Sequence, residues 1–219
     1  MDTQEDYFIT SDTENCVQIF SYSSRNPLKV LHYSELEILC GFKSISHDFR
    51  KIRKICFDSI SNKHIFAFIS YELCFVYDIE SFSLINYLTI TDYNRTSSSS
   101  SSRFRSFTFC GKGYMYILCD TEIIKWNYYS CSINSLPYST ILKLEKPCRN
   151  IHLSGDNSIL EVLSQNEVVF YLISSQEQEV IHDTTKTETL TYISYIPVSI
   201  DVDIDSYIDR IKEKYIISI

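Results

Sequence analysis

Four carboxylates late in the sequence have the spacing of a calcium-binding loop. They occupy the first, third, fifth and ninth positions of that template, and they are Asp201, Asp203, Asp205 and Asp209. Oxygen ligands at this spacing could converge on a hard cation. The template also requires glycine at its sixth position, where this chain has Ser206. The run is therefore an incomplete metal candidate. The alternative is an acidic helix start, where the helix dipole favours aspartate.

No other residue pattern predicts a catalytic centre or a cofactor site. The 5 histidines are scattered, without the HExxH spacing of a metalloprotease. The nucleophile motif GxSxG and the glycine-rich nucleotide motifs are absent. The 8 cysteines lie singly, and inside a strand a single cysteine behaves as a small hydrophobe. We therefore expect a protein that is not an enzyme and carries no cofactor, with a metal-dependent enzyme as an alternative.

Arginine and glutamate recur at matching places in similar segments of the chain. An arginine opens each of three segments. In these three segments, and in a partial copy near the N-terminus, a glutamate lies in the turn before the third apolar run of the segment. These residues are Arg53, Arg105 and Arg149, with Glu14, Glu72, Glu122 and Glu167. Arginine binds carboxylate or phosphate in a bidentate way, so we predict a partner-binding surface for an acidic or phosphorylated peptide. The alternative is ordinary surface ion pairs, each worth about 0–1 kcal/mol.

The elements that must position these residues are short strands. The stretch Arg53–Leu88 has four apolar runs separated by turn residues, and none reaches helix length with a helical period. The same order returns in Arg105–Leu136 and Arg149–Ile181, and 7–21 is a partial copy. The third runs end in aromatic residues 57, 49 and 45 positions apart: Phe20, Tyr77, Trp126 and Tyr171. Four strands per period of about 40–50 residues are typical of propeller blades.

These segments resemble the WD-repeat family. The matching features are the hairpins SDTENCVQIFS and CDTEIIKWN and the pairs Tyr77-Asp78 and Trp126-Asn127, and the likeness covers about residues 7–183. The resemblance implies an all-β, WD-repeat-like β-propeller of about four blades plus a partial one. It also implies that the repeated arginines and glutamates share one rim. We expect an open ring, with a ring that closes on itself as the alternative.

The chain is expected to form one domain over residues 1–219. We predict a Ser-rich mobile loop at 92–104, a C-terminal extension at 198–219 and an insertion at Ser34–Phe49. Within that insertion, Leu36–Cys40 could be an extra strand or a short helix. The alternating run Thr187–Ile196 predicts the opening strand of a further blade. Trp126 should be buried beside Tyr77 or Tyr171 of an adjacent blade.

Composition limits the class of partner. The net charge of −8 argues against a general binder of nucleic acid, which needs a clustered basic surface. No apolar run approaches the roughly 18 residues of a membrane helix, and no signal-peptide pattern opens the chain. We therefore expect an intracellular protein, cytoplasmic or nuclear, that binds protein partners and neither nucleic acid nor a membrane.

The function expected from the sequence is a non-enzymatic protein–protein interaction scaffold, a subunit of a larger complex. The alternative is a phosphoinositide-binding propeller similar to the PROPPIN family. That likeness rests on the text SYELCFVYDIESFSLI, and the family's Phe-Arg-Arg-Gly motif is absent.

Overall fold

The computed structural model describes residues 7–12, 15–43, 47–58, 65–96, 103–130, 138–180, 183–197 and 208. Within these ranges the chain is all-β, with four antiparallel sheets whose strands follow one another in chain order. Sheet 1 has three strands, β1 (Tyr7–Ser11), β2 (Cys16–Ser21) and β3 (Lys29–His32). Sheet 2 has β4 (Lys54–Phe57), β5 (Ile65–Ile69), β6 (Leu73–Asp78) and β7 (Ser83–Thr89).

The other two sheets repeat the four-stranded unit. Sheet 3 has β8 (Ser106–Gly111), β9 (Tyr114–Leu118), β10 (Glu122–Asn127) and β11 (Tyr138–Lys143). Sheet 4 has β12 (Asn150–Leu153), β13 (Ile159–Leu163), β14 (Glu167–Val180) and β15 (Asp183–Pro197). Helix α1 (Tyr33–Leu39) and a 3-10 helix (His47–Arg50) follow sheet 1, and helix α2 (Ile90–Thr96) follows sheet 2.

Successive sheets stack face to face through apolar clusters. Alternate side chains of β6 point to opposite faces, because successive residues of a strand do so. Phe75 and Tyr77 pack towards sheet 1, and Cys74 and Val76 pack towards sheet 3. Another cluster joins sheets 3 and 4 in the same way. Burial on both faces explains why β5, with the sequence IFAFI, is apolar throughout.

The innermost strands of sheets 2, 3 and 4 meet at one place. The ammonium group of Lys54 on β4 donates to Ser106 Oγ on β8 at 3.2 Å. It also donates to Asn150 Oδ1 at 3.4 Å and to the Ile151 carbonyl at 3.1 Å, both on β12. Sheets stacked around a line where their first strands converge form the architecture of a propeller. The fold is therefore propeller-like.

A bulge recurs in the fourth strand of each four-stranded sheet. The register between the third and fourth strands shifts by one residue in sheets 2, 3 and 4. The extra residue is an isoleucine every time: Ile85, Ile141 and Ile193. A bulge increases strand twist, so the same device shapes the outer strand of each unit.

Several predicted boundaries need correction. The fourth strand of sheet 3 lies at Tyr138–Lys143, beyond the predicted end at Leu136. The strand β14 continues to Val180 instead of ending at Tyr171. The run Thr187–Ile196 does not open a further blade, because it belongs to β15 and pairs with β14 as the fourth strand of sheet 4.

The helices resolve two further predictions. The run Leu36–Cys40 is mainly helical, because helix α1 ends at Leu39 with Cys40 as its C-cap. Gly41 has φ +62°, and the Phe42 N–H bonds the Glu37 carbonyl at 2.9 Å, a Schellman ending that favours glycine. Residues 92–96, predicted as part of a loop, lie in α2. The Ser97–Ser102 run lies outside the described residues.

Trp126 is buried as predicted, with none of its surface exposed, but its predicted neighbours are wrong. It lies in the cluster between sheets 2 and 3, with its ring 6.4 Å from the Tyr128 ring. Tyr77 faces sheet 1, and Tyr171 packs in the cluster between sheets 3 and 4. Each of the three rings packs on the sheet that precedes its own, so successive rings lie one layer apart.

Of the segment 198–219, only Ile208 is described. Its side chain is 5% exposed and packs on Ile159 and Phe170, against the face of sheet 4 that points away from sheet 3. In the part of the chain that the structure describes, no helix is long and apolar enough to cross a membrane.

Candidate interaction site

The three predicted arginines occupy equivalent positions in the fold. Each directly precedes an innermost strand, and its backbone N–H donates to the last residue of the second strand. The bonds run from Arg53 to Ile69, from Arg105 to Leu118 and from Arg149 to Leu163, at 2.7, 2.8 and 2.7 Å. The arginines therefore lie at the same edge of each sheet as the turns between second and third strands. We call this edge the rim.

The turns at the rim are held by local hydrogen bonds. Ser70 Oγ accepts the N–H groups of Glu72 and Leu73 at 3.3 and 3.1 Å. Ser164 accepts those of Asn166 and Glu167 at 3.3 and 3.2 Å in the equivalent turn of sheet 4. Serine favours such turns because its hydroxyl bonds nearby backbone groups. Each of these two turns therefore presents its central residues in a fixed geometry.

Three arginines converge on the ring of Tyr71, which lies at the rim turn of sheet 2. The guanidinium carbons of Arg53, Arg105 and Arg103 are 4.7, 5.3 and 5.9 Å from the ring centroid. These distances are within the range of cation–π attraction, about 6 Å. Arg53 and Arg103 are exposed, and Tyr71 and Arg105 are half-buried. We call these four residues the Tyr71 cluster.

The segment 103–105 is fixed by the residue at its centre. Phe104 is fully buried between sheets 2 and 3, and its N–H donates to the Tyr71 carbonyl at 3.0 Å. The side chains on either side of Phe104, those of Arg103 and Arg105, both lie near the Tyr71 ring. Burial of Phe104 thus brings Arg103 and Arg105 to Tyr71 together.

Asp120 contacts two of the three arginines of the cluster. Its carboxylate accepts the backbone N–H of Arg103 at 3.0 Å and forms an ion pair with the guanidinium group of Arg105. Glu72, beside Tyr71 in sequence, is only 4% exposed. The two exposed side chains of the cluster, those of Arg53 and Arg103, are both cationic, on a chain whose net charge is −8.

The remaining predicted site residues are placed differently. Arg149 is exposed at the rim of sheet 4, away from the Tyr71 cluster. Glu122 is 7% exposed and accepts the Thr140 hydroxyl at 3.1 Å, so its carboxylate faces inward. Glu167 is half-buried and lies 3.9 Å from Lys146. Glu14 lies outside the described residues, and the role of all these residues in binding stays a prediction.

Sequence reasoning missed Arg103 and Tyr71, because neither residue type is repeated from blade to blade. The rim turns of sheets 2, 3 and 4 are closed by the same backbone hydrogen bond, so their residues can be aligned. At the position of Tyr71 in sheet 2, sheet 3 has Asp120 and sheet 4 has Gln165. A signal for Arg103 did exist, because it alternates with Arg105 around the apolar Phe104. The cluster is thus a feature of one part of the rim and not of every blade.

The described residues contain no group of three or more histidine, cysteine or acidic side chains that could hold a metal ion. The aspartate run at 201–209 lies outside the described ranges. Histidines make isolated contacts, such as His32 Nδ1 with Cys16 Sγ at 2.9 Å.

A groove of about 420 Å³ between sheets 3 and 4 is lined by Tyr171, Tyr192 and Tyr195, with Lys143 and Lys146 at its side.

No family model and no curated protein matches the sequence. A search of solved structures finds similarity to a chain in the crystal structure of the mitotic checkpoint complex. The two chains are 11% identical, with a TM-score of 0.49, and the alignment covers 73% of this chain and 43% of that chain. The present chain thus corresponds to less than half the length of that one.

Proposed function

We propose that this chain is a non-enzymatic protein–protein interaction scaffold, a subunit of a larger complex, and that it binds its partner through the Tyr71 cluster. The observation that carries the proposal is the convergence of Arg53, Arg103 and Arg105 on one half-buried tyrosine ring at the rim. Arginine and tyrosine are among the residues that most often dominate binding energy at protein interfaces.

The hydrogen-bonded backbone of the cluster supports this role. Ordering a side chain on binding costs about 0.5–1.5 kcal/mol, and a surface that is already ordered avoids much of that cost. Here the backbone N–H groups of all three arginines are hydrogen-bonded within the fold. The Tyr71 ring adds a common platform for the guanidinium groups. The cluster therefore has the preorganisation that favours a specific contact.

The proposal is tested by co-purification with matched variants. The tagged protein, a double variant (Arg53→Ala with Arg103→Ala) and an Arg149→Ala control are expressed in cells of the source organism. Captured proteins are then compared by quantitative mass spectrometry. Arg149 is the matched control because it has the same backbone position on another sheet.

We expect at least one protein whose recovery falls roughly tenfold or more in the double variant, since each charge-assisted hydrogen bond lost weakens binding by about that factor. The Arg149→Ala control should recover it as well as the original chain does. Equal recovery with all three proteins would contradict binding at the Tyr71 cluster.

A further inference from the structure

We propose that sheet 1 is completed by an extended strand of a partner protein, which adds antiparallel to the edge of β1 that points away from β2. We call this edge the β1 edge. The inference goes beyond the proposed function, because it concerns another surface and does not involve the Tyr71 cluster. The strand that sheet 1 lacks, the backbone groups at the β1 edge and the side chains beside them each support it.

Sheet 1 lacks the innermost strand that the other three sheets have. In sheets 1, 2 and 3, the residue that follows the outermost strand donates its N–H to the rim turn of the same sheet. These bonds run from Tyr33 to Asn15 at 3.3 Å, from Ile90 to Glu72 at 2.8 Å and from Leu144 to Thr121 at 2.8 Å. The strand β3 is therefore the counterpart of β7 and β11, and β1 is a second strand. Within the described residues, no first strand pairs with it.

Two residues of β1 direct their backbone groups to the β1 edge. The N–H of Asp12 donates to the Cys16 carbonyl at 3.1 Å, and backbone groups of successive residues in a strand point to opposite edges. The N–H and C=O groups of Ser11 and Ile9 therefore point away from β2. The described residues contain no hydrogen-bond partner for these groups. Such an edge is a template for another strand.

The other sheets show where the added strand would begin. Ser11 is the last residue of its second strand, as are the residues whose carbonyls accept the N–H of an arginine in sheets 2, 3 and 4. Those acceptors are Ile69, Leu118 and Leu163. The partner strand should therefore donate an N–H to the Ser11 carbonyl and run from there towards Tyr7, as a continuation of the ladder that β1 and β2 already form.

The innermost strands of sheets 3 and 4 show which side chains fit this position. The second and fourth residues after the arginine are apolar and pack on the preceding sheet: Phe107 and Phe109, and Ile151 and Leu153. The equivalent face of sheet 1 carries Phe8 and Phe20, which are half-buried and stack with ring centroids 4.8 Å apart. We therefore expect a partner segment with apolar residues at alternate positions, one of which covers Phe8.

The rest of this face favours a single strand over a whole further sheet. Thr10 and Gln18 lie on it as a cross-strand pair, and Thr10 is exposed. The corresponding pair in sheet 3 is Ile117 and Ile124, both fully buried against sheet 2. A polar pair in that place does not make the apolar contact by which the other sheets stack. The β1 edge is therefore the main contact surface at this end.

The position of the other described elements favours a partner chain as the source of the strand. Apolar clusters join sheet 1 to sheet 2, sheet 2 to sheet 3 and sheet 3 to sheet 4. Among the described residues no cluster joins sheet 4 to sheet 1, so these two sheets are the ends of the stack. Ile208, the residue described beyond β15, packs on sheet 4, at the opposite end from β1.

The first experiment supplies a strand within the same molecule. A copy of residues 149–154, RNIHLS, is fused ahead of Met1 through a short Gly/Ser linker. An antiparallel strand on the β1 edge ends near Tyr7, so the fused copy can fold back onto that edge. The control fusion has proline at the second and fourth positions of the copy, which keeps both apolar residues and removes two N–H donors. Amide hydrogen exchange is measured on both fusions and on the original chain.

We expect the N–H groups of Ile9 and Ser11 to exchange rapidly in the original chain. The RNIHLS fusion should slow their exchange roughly tenfold or more, because it adds at least two hydrogen bonds at a high effective concentration. The proline control should leave their exchange unchanged.

The second experiment tests whether the strand comes from a partner. Ser11→Pro removes an outward N–H at an edge position where proline is tolerated, and Ser11→Ala is the matched control. Ser11 is exposed, so neither change removes core packing. The two variants, the two fusions and the original chain are tagged and expressed in cells of the source organism, and captured proteins are quantified by mass spectrometry. Melting midpoints establish folding, and the RNIHLS fusion blocks the edge without altering β1.

We expect at least one protein whose recovery falls roughly tenfold or more with Ser11→Pro and with the RNIHLS fusion, since both remove backbone hydrogen bonds to it. Ser11→Ala and the proline control should recover it within about twofold of the original chain. Slow exchange of Ile9 and Ser11 in the original chain alone would overturn the inference, because this chain or a second copy would then cover the edge. Unchanged exchange in the RNIHLS fusion, or equal recovery of every protein with all variants, would overturn it as well.

Discussion

Replacing Trp126 with alanine is expected to lower the free energy of unfolding by about 3–5 kcal/mol, the range for large aromatic residues in protein cores. The indole is fully buried in the cluster that joins sheets 2 and 3. Its removal leaves a cavity in the apolar interface between sheets 2 and 3. Urea unfolding of the variant and the original chain measures the difference through the midpoint and the slope.

A Trp126→Phe variant separates packing from hydrogen bonding. The indole N–H has no hydrogen-bond partner among the described residues. Phenylalanine therefore leaves no acceptor unsatisfied and keeps most of the aromatic contact, so its cost should be well below that of alanine. An alanine variant that unfolds at the same urea concentration as the original chain would place Trp126 outside the core and refute the stacking of sheets 2 and 3.

The second large effect is expected at the meeting point of the innermost strands. Lys54→Ala should cost about 1.5–3 kcal/mol, the range for hydrogen bonds to a charged group. The substitution removes the donor that links Ser106, Asn150 and Ile151 across three sheets. Burial lowers the pKa of the Lys54 ammonium group below its usual value, because desolvation disfavours the charged form. The same desolvation offsets part of the stability that the hydrogen bonds of Lys54 contribute.

Lys51→Ala is the matched control, because Lys51 is 61% exposed and forms a surface ion pair with Asp48 at 2.8 Å. Its effect should stay within about 0.5 kcal/mol. Both variants are compared by denaturant unfolding at neutral pH. If Lys54→Ala proves as harmless as Lys51→Ala, the convergence of the innermost strands does not depend on this side chain.

The strand order of the repeats could be predicted from the sequence because burial of a strand leaves a regular signal. Alternation in β4 and the unbroken apolar run in β5 are direct consequences of which faces are covered. The fourth strands were less predictable. They carry bulges at Ile85, Ile141 and Ile193, and a bulge interrupts the alternation that identifies a strand.

Helix α2 was missed although the sequence carries a signal for it. The Thr89 hydroxyl donates to the Asp92 carboxylate at 2.6 Å, and the Asp92 N–H donates back to Thr89 Oγ1 at 3.0 Å. A threonine followed three residues later by an acidic residue is typical of a helix start. The adjoining serine run led the whole segment to be interpreted as a loop.

The candidate site was predictable only in part. The positions of Arg53 and Arg105 follow from the repeat, because both precede an innermost strand. Their meeting at Tyr71 could not be predicted, since it depends on Phe104 entering the core between two sheets. The inward direction of Glu122 could not be predicted either, because a charged side chain is usually exposed and this one is buried.

The most direct test of the account is chemical footprinting of arginine side chains with and without the co-purified partner. In the isolated protein, a glyoxal reagent should modify Arg53, Arg103 and Arg149, since all three are exposed. We predict that the bound partner protects Arg53 and Arg103 and leaves the modification of Arg149 unchanged, as read by mass spectrometry. Equal modification of Arg53 and Arg103 in the free and bound protein would contradict the account.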